Sequence, residues 1–199
     1  MIKNNKNNAL IANRTRLFFL IIFSLLCVNI AHAQVKLATV FANNMDLQRD
    51  LPINIWGSAN KYEKIKIILN GKTFLGQANK AGAWLITLPS QHVATKQTIS
   101  IVGENTTQFN TIELDNIAFG DVWLASGQSN MEFKLKKTLK KFPQEDKLEQ
   151  YPDIRQFKVV RNYHFKNPLD DIEKGYWLEA NKETVGDFSA VAWFFAKDL

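Results

Sequence analysis

Apolar and polar residues alternate over much of residues 34–116, which is the period-two pattern of half-buried β-strands. The alternation is clearest in four segments: Ile53–Gly57, Ile65–Leu69, Ala83–Leu88 and Thr98–Gly103. Asn70-Gly71 is the strongest short signal for a hairpin, with residues 73–78 as the return strand. Short strands separated by turns at this spacing are typical of an antiparallel β-sandwich. We therefore predict a β-sandwich domain over residues 34–116.

The pattern changes after residue 116. Val122–Ala125 is a short apolar run, as expected of a strand that is covered on both faces. Ile154–Val160 alternates again and predicts a further strand. Phe188–Leu199 has apolar residues at helical spacing, with Asp187 as a plausible N-cap. Residues 117–199 are therefore predicted to form an incomplete α/β domain with a parallel sheet.

Ser129 stands at a predicted strand-to-helix turn. It follows the predicted strand Val122–Ala125 and the turn signal Ser126-Gly127. Ligands bind at the carboxyl ends of strands in open α/β sheets, so this hydroxyl is a candidate nucleophile. Ser129 and Glu132 also have the spacing of a helix capping box, which needs no chemistry. The motif is not the Gly-x-Ser-x-Gly elbow, because Met131 occupies its last position.

Three segments carry a family resemblance. Gly127–Met131, preceded by Gly120–Leu124, resembles the nucleophile block of the sialate O-acetylesterase family. Val40–Arg49 and Glu183–Phe195 are also similar to segments of that family. The resemblance implies an SGNH-hydrolase-like catalytic domain that begins at residue 117, preceded by an accessory β-domain. It also implies that Ser129 attacks O-acetyl esters on sialic acid or related sugars.

The family also implies roles for the neighbours of Ser129. Gln128 and Asn130 would hold the serine loop or contact the substrate, and the Ser129 N–H would be one oxyanion donor. The family's base and orienting acid come from an Asp-x-x-His block, which occurs nowhere in the 199 residues. We therefore expect this sequence to be the front part of a longer enzyme, with little or no activity alone.

Two histidines follow the predicted signal, His92 and His164. His164 is a candidate substitute base, with Asp170 or Asp171 as its carboxylate partner; alternatively, both histidines are ordinary loop residues. Two histidines without cysteine or a close carboxylate cluster do not form a zinc signature. No nucleotide-binding glycine motif is present. The sequence thus predicts neither a cofactor nor a metal.

The N-terminus has the features of an export signal. Four basic residues precede an apolar segment that is short for a membrane span, and an Ala-x-Ala site ends at Ala33. We predict a signal peptide over residues 1–33, cleaved to leave Gln34 first, and a periplasmic or extracellular protein; an uncleaved anchor is the alternative. The only cysteine, Cys27, lies in this signal.

Removal of the signal changes the charge of the protein. It contains four of the 25 basic residues and no acidic residue, so the formal net charge falls from +6 to +2. Without a basic stripe, the mature chain is not expected to bind nucleic acid. The predicted partner is an acetylated sugar, with no membrane partner after cleavage. The lysines between residues 134 and 141 indicate either an acidic-partner patch or an ordinary solvated face.

A second functional hypothesis concerns the tryptophans of the β-region. If Trp56 or Trp84 stacks on a sugar ring, the protein is a secreted carbohydrate-binding β-module with a vestigial α/β tail. The alternative, which the alternating pattern favours, is that both tryptophans fill the sandwich core. The sequence does not indicate an oligomeric state.

Overall fold

The computed structural model describes residues 35–104, 109–146, 151, 153–164 and 166–199. It is dominated by β-sheet and contains few helices. The first part holds eight strands: β1 (Lys36–Leu37), β2 (Asp46–Gln48), β3 (Ile53–Ser58), β4 (Lys64–Leu69), β5 (Lys72–Gln77), β6 (Ala83–Leu88), β7 (Ala94–Glu104) and β8 (Phe109–Gly120). They form a three-stranded sheet of order β1-β3-β6 and a five-stranded sheet of order β2-β8-β7-β4-β5.

The two sheets contribute to one hydrophobic core. Ile55 and Leu88 come from the three-stranded sheet, and Ile67 and Ile101 come from the five-stranded sheet; all four are completely buried. Their neighbours along each strand are mostly exposed, so the period-two pattern places every second side chain in this core. The predicted strands of this region are therefore present with the predicted alternation.

The β4–β5 turn has the backbone geometry that its residue types, Asn70 and Gly71, predict. Asn70 and Gly71 both have positive φ, 50° and 73°, and they join the paired residues Leu69 and Lys72. Positive φ at both central residues is the geometry of a type I′ hairpin turn, which Asn-Gly adopts at low cost. The turn sets the register of the hairpin from local sequence alone.

The tryptophans of the first part differ in environment. Trp84 is 3% exposed and packs in the core, as its alternating position predicts. Trp56 is 41% exposed, and its ring lies 4.6 Å from that of Phe41 in an edge-to-face arrangement. Trp56 follows the buried Ile55 on β3, so it lies on the opposite face of that strand. The expectation that both tryptophans fill the core is wrong for Trp56.

Strand β8 is longer than predicted and crosses the predicted domain boundary at residues 116 and 117. It runs from Phe109 to Gly120 without interruption. Its last residues pair in parallel with β2, Asp46 opposite Ala118 and Gln48 opposite Gly120. The strand that leads to Ser129 is therefore built into the five-stranded sheet.

The second part is smaller and contains one antiparallel strand pair. Strands β9 (Arg155–Val159) and β10 (Gly175–Glu179) pair in antiparallel register, and helix α2 (Ala190–Lys197) follows a 3-10 turn over Val185–Asp187. Its core consists of Leu135, Ala180, Val185, Phe188, Ala190 and Trp193. Among the described residues after 120 no parallel strand pair is present, so the parallel sheet predicted there is absent from this part of the structure.

The predicted buried strand Val122–Ala125 is wrong. Residues 121–127 adopt no regular structure, and Val122, Trp123 and Leu124 are 45%, 61% and 94% exposed. A strand buried on both faces needs a paired strand and packed layers, and the described residues provide neither for this segment. Trp123 instead contacts the exposed Phe195 edge-to-face, with ring centroids 5.3 Å apart.

In the described ranges, no helix has both the length and the apolar character needed to cross a membrane. The predicted signal peptide, with Cys27, and the predicted mature N-terminus at Gln34 lie outside the described residues.

Candidate functional site

Ser129 is the first residue of α1 (Ser129–Glu132), a single helical turn. Gln128 is the N-cap, and no side chain caps this turn. The capping box predicted for Ser129 and Glu132 is therefore wrong, because the serine lies one position beyond the cap that such a box requires. Ser129 is exposed, and its hydroxyl makes no hydrogen bond within the described part of the chain.

Gln48, the last residue of β2, and Arg49, which follows it, hold the segment that leads to Ser129. The Arg49 N–H donates to the Gly120 carbonyl at 2.9 Å, and the Arg49 guanidinium donates to both carboxylate oxygens of Asp121 at 3.1 Å. The next N–H, that of Val122, donates to the Gln48 side-chain oxygen at 3.0 Å. The bond from Arg49 lowers the pKa of Asp121. Two segments that resembled one family from sequence thus lie side by side.

Asp46 is a partly buried carboxyl group beside Gly120, at the start of this segment. A methyl group at Gly120 would lie 3.1 Å from Asp46 Oδ1, and this oxygen has no hydrogen-bond partner among the described residues. Burial raises the pKa of Asp46 from 3.8 to about 6, although the positive charge of Arg155 opposes the shift. The sequence analysis did not predict this group. The pattern that could have indicated it is a carboxylate between the apolar residues Met45 and Leu47.

Arg155 joins the two parts of the chain. Its side chain is only 2% exposed. It donates to the carbonyls of Met45 and Asn116 and to the Asn116 side-chain oxygen, and Glu179 Oε1 lies 3.6 Å from its Nη2. A buried guanidinium with this many acceptors fixes β9 against the ends of β2 and β8.

Helix α2 supports α1 from the other side. The Ala190 N–H donates to the Phe133 carbonyl at 2.8 Å, and the Leu135 N–H donates to the Phe188 carbonyl at 2.9 Å. The Ser189 hydroxyl lies 3.5 Å from the Met131 sulfur. These contacts hold the residues directly after Ser129 in a defined position.

Ser189, and not Asp187, caps α2. The Ser189 Oγ accepts from the Ala192 N–H at 3.3 Å, whereas Asp187 lies in the preceding 3-10 turn. The Asp187 carboxylate pairs with Lys134 at 2.7 Å and with Lys136 at 3.0 Å, and these bonds lower its pKa to about 2. Two of the clustered lysines therefore have an intramolecular partner.

Gln128 and Asn130, the predicted supporting residues, flank Ser129 and are both exposed. Their side chains make no hydrogen bond to the described residues. Their carbonyls do close the helical turn: Gln128 accepts from the Met131 and Glu132 N–H groups, and Asn130 accepts from the Phe133 N–H. The backbones of Gln128 and Asn130 therefore support the loop, and their side-chain amides are available to a ligand.

The structure does not bring either histidine into a hydrogen bond with Ser129. His92 has a 98% exposed side chain, and its Nδ1 lies 2.9 Å from Asp50 Oδ1. His164 Nε2 lies 2.7 Å from Glu173 Oε1, so neither Asp170 nor Asp171 is its carboxylate partner, contrary to expectation. Over the described residues, no three side chains of the metal-ligating types form a group.

The ion pair between Arg161 and Glu132 connects α1 to the loop after β9. Glu132 lies three positions after Ser129, and Arg161 lies three positions before His164. Both side chains are more than half exposed, so this pair contributes little stability. It does show that the His164 loop approaches the helix that carries Ser129.

Two comparisons found known proteins that are similar to this chain, and no family model matches it. Over 97 residues, 45% of this chain, the sequence is 31% identical to the sialate O-acetylesterase of Mus musculus and covers 18% of that protein. The fold is similar to the crystal structure of a carbohydrate acetylesterase from Xanthomonas citri, with a TM-score of 0.76 and 30% identity. That match covers 83% of this chain and 37% of the bacterial chain. The chain thus spans less than half of either relative.

Proposed function

We propose, on the basis of the sialate O-acetylesterase-like family that both comparisons support, that this chain carries the nucleophile of an exported carbohydrate esterase. Its substrate would be an O-acetyl ester on sialic acid or a related sugar. The observation that carries the proposal is the state of Ser129, which is exposed at the start of α1 and not used as a helix cap. A free hydroxyl on a backbone held from two sides is suited to nucleophilic attack.

The proposed reaction has two steps. The Ser129 hydroxyl attacks the acetyl carbonyl and loses its proton to a base, and collapse of the tetrahedral intermediate releases the sugar alcohol, which takes up a proton. Water then attacks the acetyl-serine and releases acetate. Gln128 and Asn130 are proposed to contact the substrate, since their amides are free for this role.

The base is the missing element. His92 is paired with Asp50, and no Asp-x-x-His block occurs in the 199 residues. We propose that the catalytic imidazole comes from outside these residues and that the chain alone has little or no activity. Within the chain, His164 is the candidate substitute base, because it pairs with Glu173 and Arg161 connects its loop to α1.

Hydrolysis of p-nitrophenyl acetate with added imidazole tests both points. Imidazole acts as an external base, so it should raise the rate of the wild type above that of Ser129→Ala, which measures hydrolysis by imidazole alone. Acetyl-Ser129 should be detectable by mass spectrometry during turnover. Equal rates for the two proteins at every imidazole concentration would contradict the nucleophile assignment.

The same assay without imidazole tests the origin of the base. We expect the wild type to match Ser129→Ala. Strong Ser129-dependent turnover would show that the base lies within the chain, and loss of that turnover in His164→Gln would identify it as His164. If His164→Gln retained this turnover, His92 would be the remaining candidate base among the histidines of the described residues.

A further inference from the structure

A cleft of about 640 Å³ lies between the β-sheet part and the loop after β9. Val40 and Trp56 line one side, and residues of the segments 159–164 and 167–173 line the other. The volume is in the range of small-ligand sites. Ser129, Gln128 and Asn130 do not line this cleft, whereas His164, the candidate substitute base, and its partner Glu173 do.

The two walls of the cleft are joined by hydrogen bonds. Asp171 Oδ2 accepts from the Thr39 N–H at 2.9 Å and from the Thr39 hydroxyl at 3.0 Å. On the same side, the Trp177 indole N–H donates to the Val40 carbonyl at 2.7 Å. These bonds connect residues more than 130 positions apart, so the cleft is formed before a ligand arrives.

Both sides of the cleft contribute apolar side chains, and one side includes an aromatic ring. Trp56 is 41% exposed, and Phe41 fixes it from the side. Leu169 and Val159 are also about half exposed. A partly exposed indole with aliphatic neighbours is suited to contact the C–H face of a pyranose ring, which is flat and weakly polar.

Three of the polar side chains that line the cleft are carboxylates, which accept hydrogen bonds. Glu173 is bonded to His164 and Asn162, Asp171 is held by Thr39, and Asp170 has an exposed carboxylate without a partner among the described residues. Carboxylates accept hydrogen bonds from sugar hydroxyls, and charged acceptors form the stronger bonds.

The charge of the cleft selects against anions. Its lining has three carboxylates but one guanidinium, and that guanidinium, on Arg161, is already paired with Glu132. Glu173 is bonded to His164, but Asp170 and Asp171 form no ion pair with the described residues, so a negatively charged sugar would meet these two like charges. An uncharged sugar would find acceptors for its hydroxyl groups in these carboxylates and both donors and acceptors in the amides of Asn162 and Asn167.

We propose that this cleft, with Trp56 on one side and Asp170 on the other, is a carbohydrate-binding site for an uncharged pyranose residue. The site is distinct from Ser129 and does not require Ser129 to be catalytic. The Arg161–Glu132 pair links its wall to α1, so a bound glycan chain would lie beside the helix that carries the serine.

Calorimetric titration of the full chain tests the site directly. The probes are xylotetraose, cellotetraose and galactotetraose as neutral ligands, and the methyl glycoside of N-acetylneuraminic acid as the anionic ligand. We expect saturable binding of at least one neutral probe and weaker binding of the sialoside. Trp56→Ala should weaken the neutral ligand about tenfold, and Asp170→Asn about fivefold, because each removes one principal contact.

Matched controls separate binding from folding. Tyr62→Ala also removes an exposed aromatic ring, but this ring lies outside the cleft, so the affinity should not change. Trp56→Phe keeps an aromatic ring and should retain most of the affinity. If Trp56→Ala fails to fold, Asp170→Asn, which keeps the shape of the cleft, still tests the site. Absence of binding to all three neutral probes, tighter binding of the sialoside, or unchanged affinity in both Trp56→Ala and Asp170→Asn would overturn the proposal. Ser129→Ala should bind normally, so failure of the esterase proposal leaves this test intact.

Discussion

Asp46→Asn should stabilise the protein at neutral pH. Asp46 is partly buried beside Gly120, one of its oxygens has no hydrogen-bond partner among the described residues, and its pKa is raised from 3.8 to about 6. The asparagine side chain has nearly the same shape as that of aspartate, but it cannot ionise. It therefore mimics the protonated acid, which the buried environment prefers.

The magnitude follows from the size of the pKa shift. A shift of about two units, at about 1.4 kcal/mol each, corresponds to about 3 kcal/mol between the charged and neutral forms. Because the side chain is only partly buried, we expect about 2 kcal/mol. The attraction of Arg155 for the carboxylate is already contained in this shift, since it opposes the larger effect of burial.

The sign of the pH dependence is defined by linkage. The protonated carboxyl contributes its full stability below about pH 4, and this contribution is lost as the pH rises through about 6. Urea unfolding of the wild type and Asp46→Asn from pH 4 to pH 8 measures the difference. The two free energies of unfolding should agree at pH 4 and diverge by about 2 kcal/mol at pH 7.

Asp187→Asn is the matched control, because it should change the free energy of unfolding at neutral pH in the opposite direction. Lys134 and Lys136 lower the pKa of Asp187 to about 2, so its charge stabilises the fold above about pH 4 and this contribution is lost as the pH falls toward 2. Asp187→Asn should therefore be less stable than the wild type at pH 7. A constant difference between Asp46→Asn and the wild type across pH 4 to 8, or a less stable Asp46→Asn at pH 7, would refute the argument.

Three further predictions concern packing, capping and export. Trp193→Ala should reduce the free energy of unfolding by about 3 to 5 kcal/mol, because this side chain is 1% exposed; Phe195→Ala, at a 47% exposed position on the same helix, should cost about 1 kcal/mol or less in the same urea titration. Ser189→Ala should cost about 1 kcal/mol by removing the cap of α2, and Ser189→Asp, which restores an acceptor, should recover most of it; no difference between the two variants would refute the capping role. Mass spectrometry of protein exported by a bacterial host should find Gln34 as the first residue, and an intact N-terminus would contradict cleavage after Ala33.

The β-strands of the first part were predictable because their cause is local. Alternating side chains such as Ile53, Ile55 and Ile65, Ile67 must share one face of an extended chain, and they are buried in the structure. Asn70-Gly71 likewise carries its turn geometry in its own backbone preferences. These elements needed no knowledge of distant residues.

The environment of an apolar run was not predictable in this way. Val122–Leu124 has the composition of a buried strand, yet it is exposed because no other described strand or layer covers it. The prediction of a capping box at Ser129 was wrong for a similar reason. The Ser-x-x-Glu spacing is compatible with a capping box, but the path of the preceding segment, held by Gln48 and Arg49, places the helix start one residue earlier, so that Gln128 is the N-cap.

What the sequence alone determined is therefore the alternation of the strands, the β4–β5 turn and the position of Ser129 in a distinctive motif. The tertiary structure decided which distant groups meet. It placed Asp46 beside Gly120, Arg155 against Met45 and Asn116, and Trp56 across a cleft from Asp170. These pairings depend on chain closure over many residues, and their free energy arises from burial and charge in the assembled fold, which no local pattern specifies.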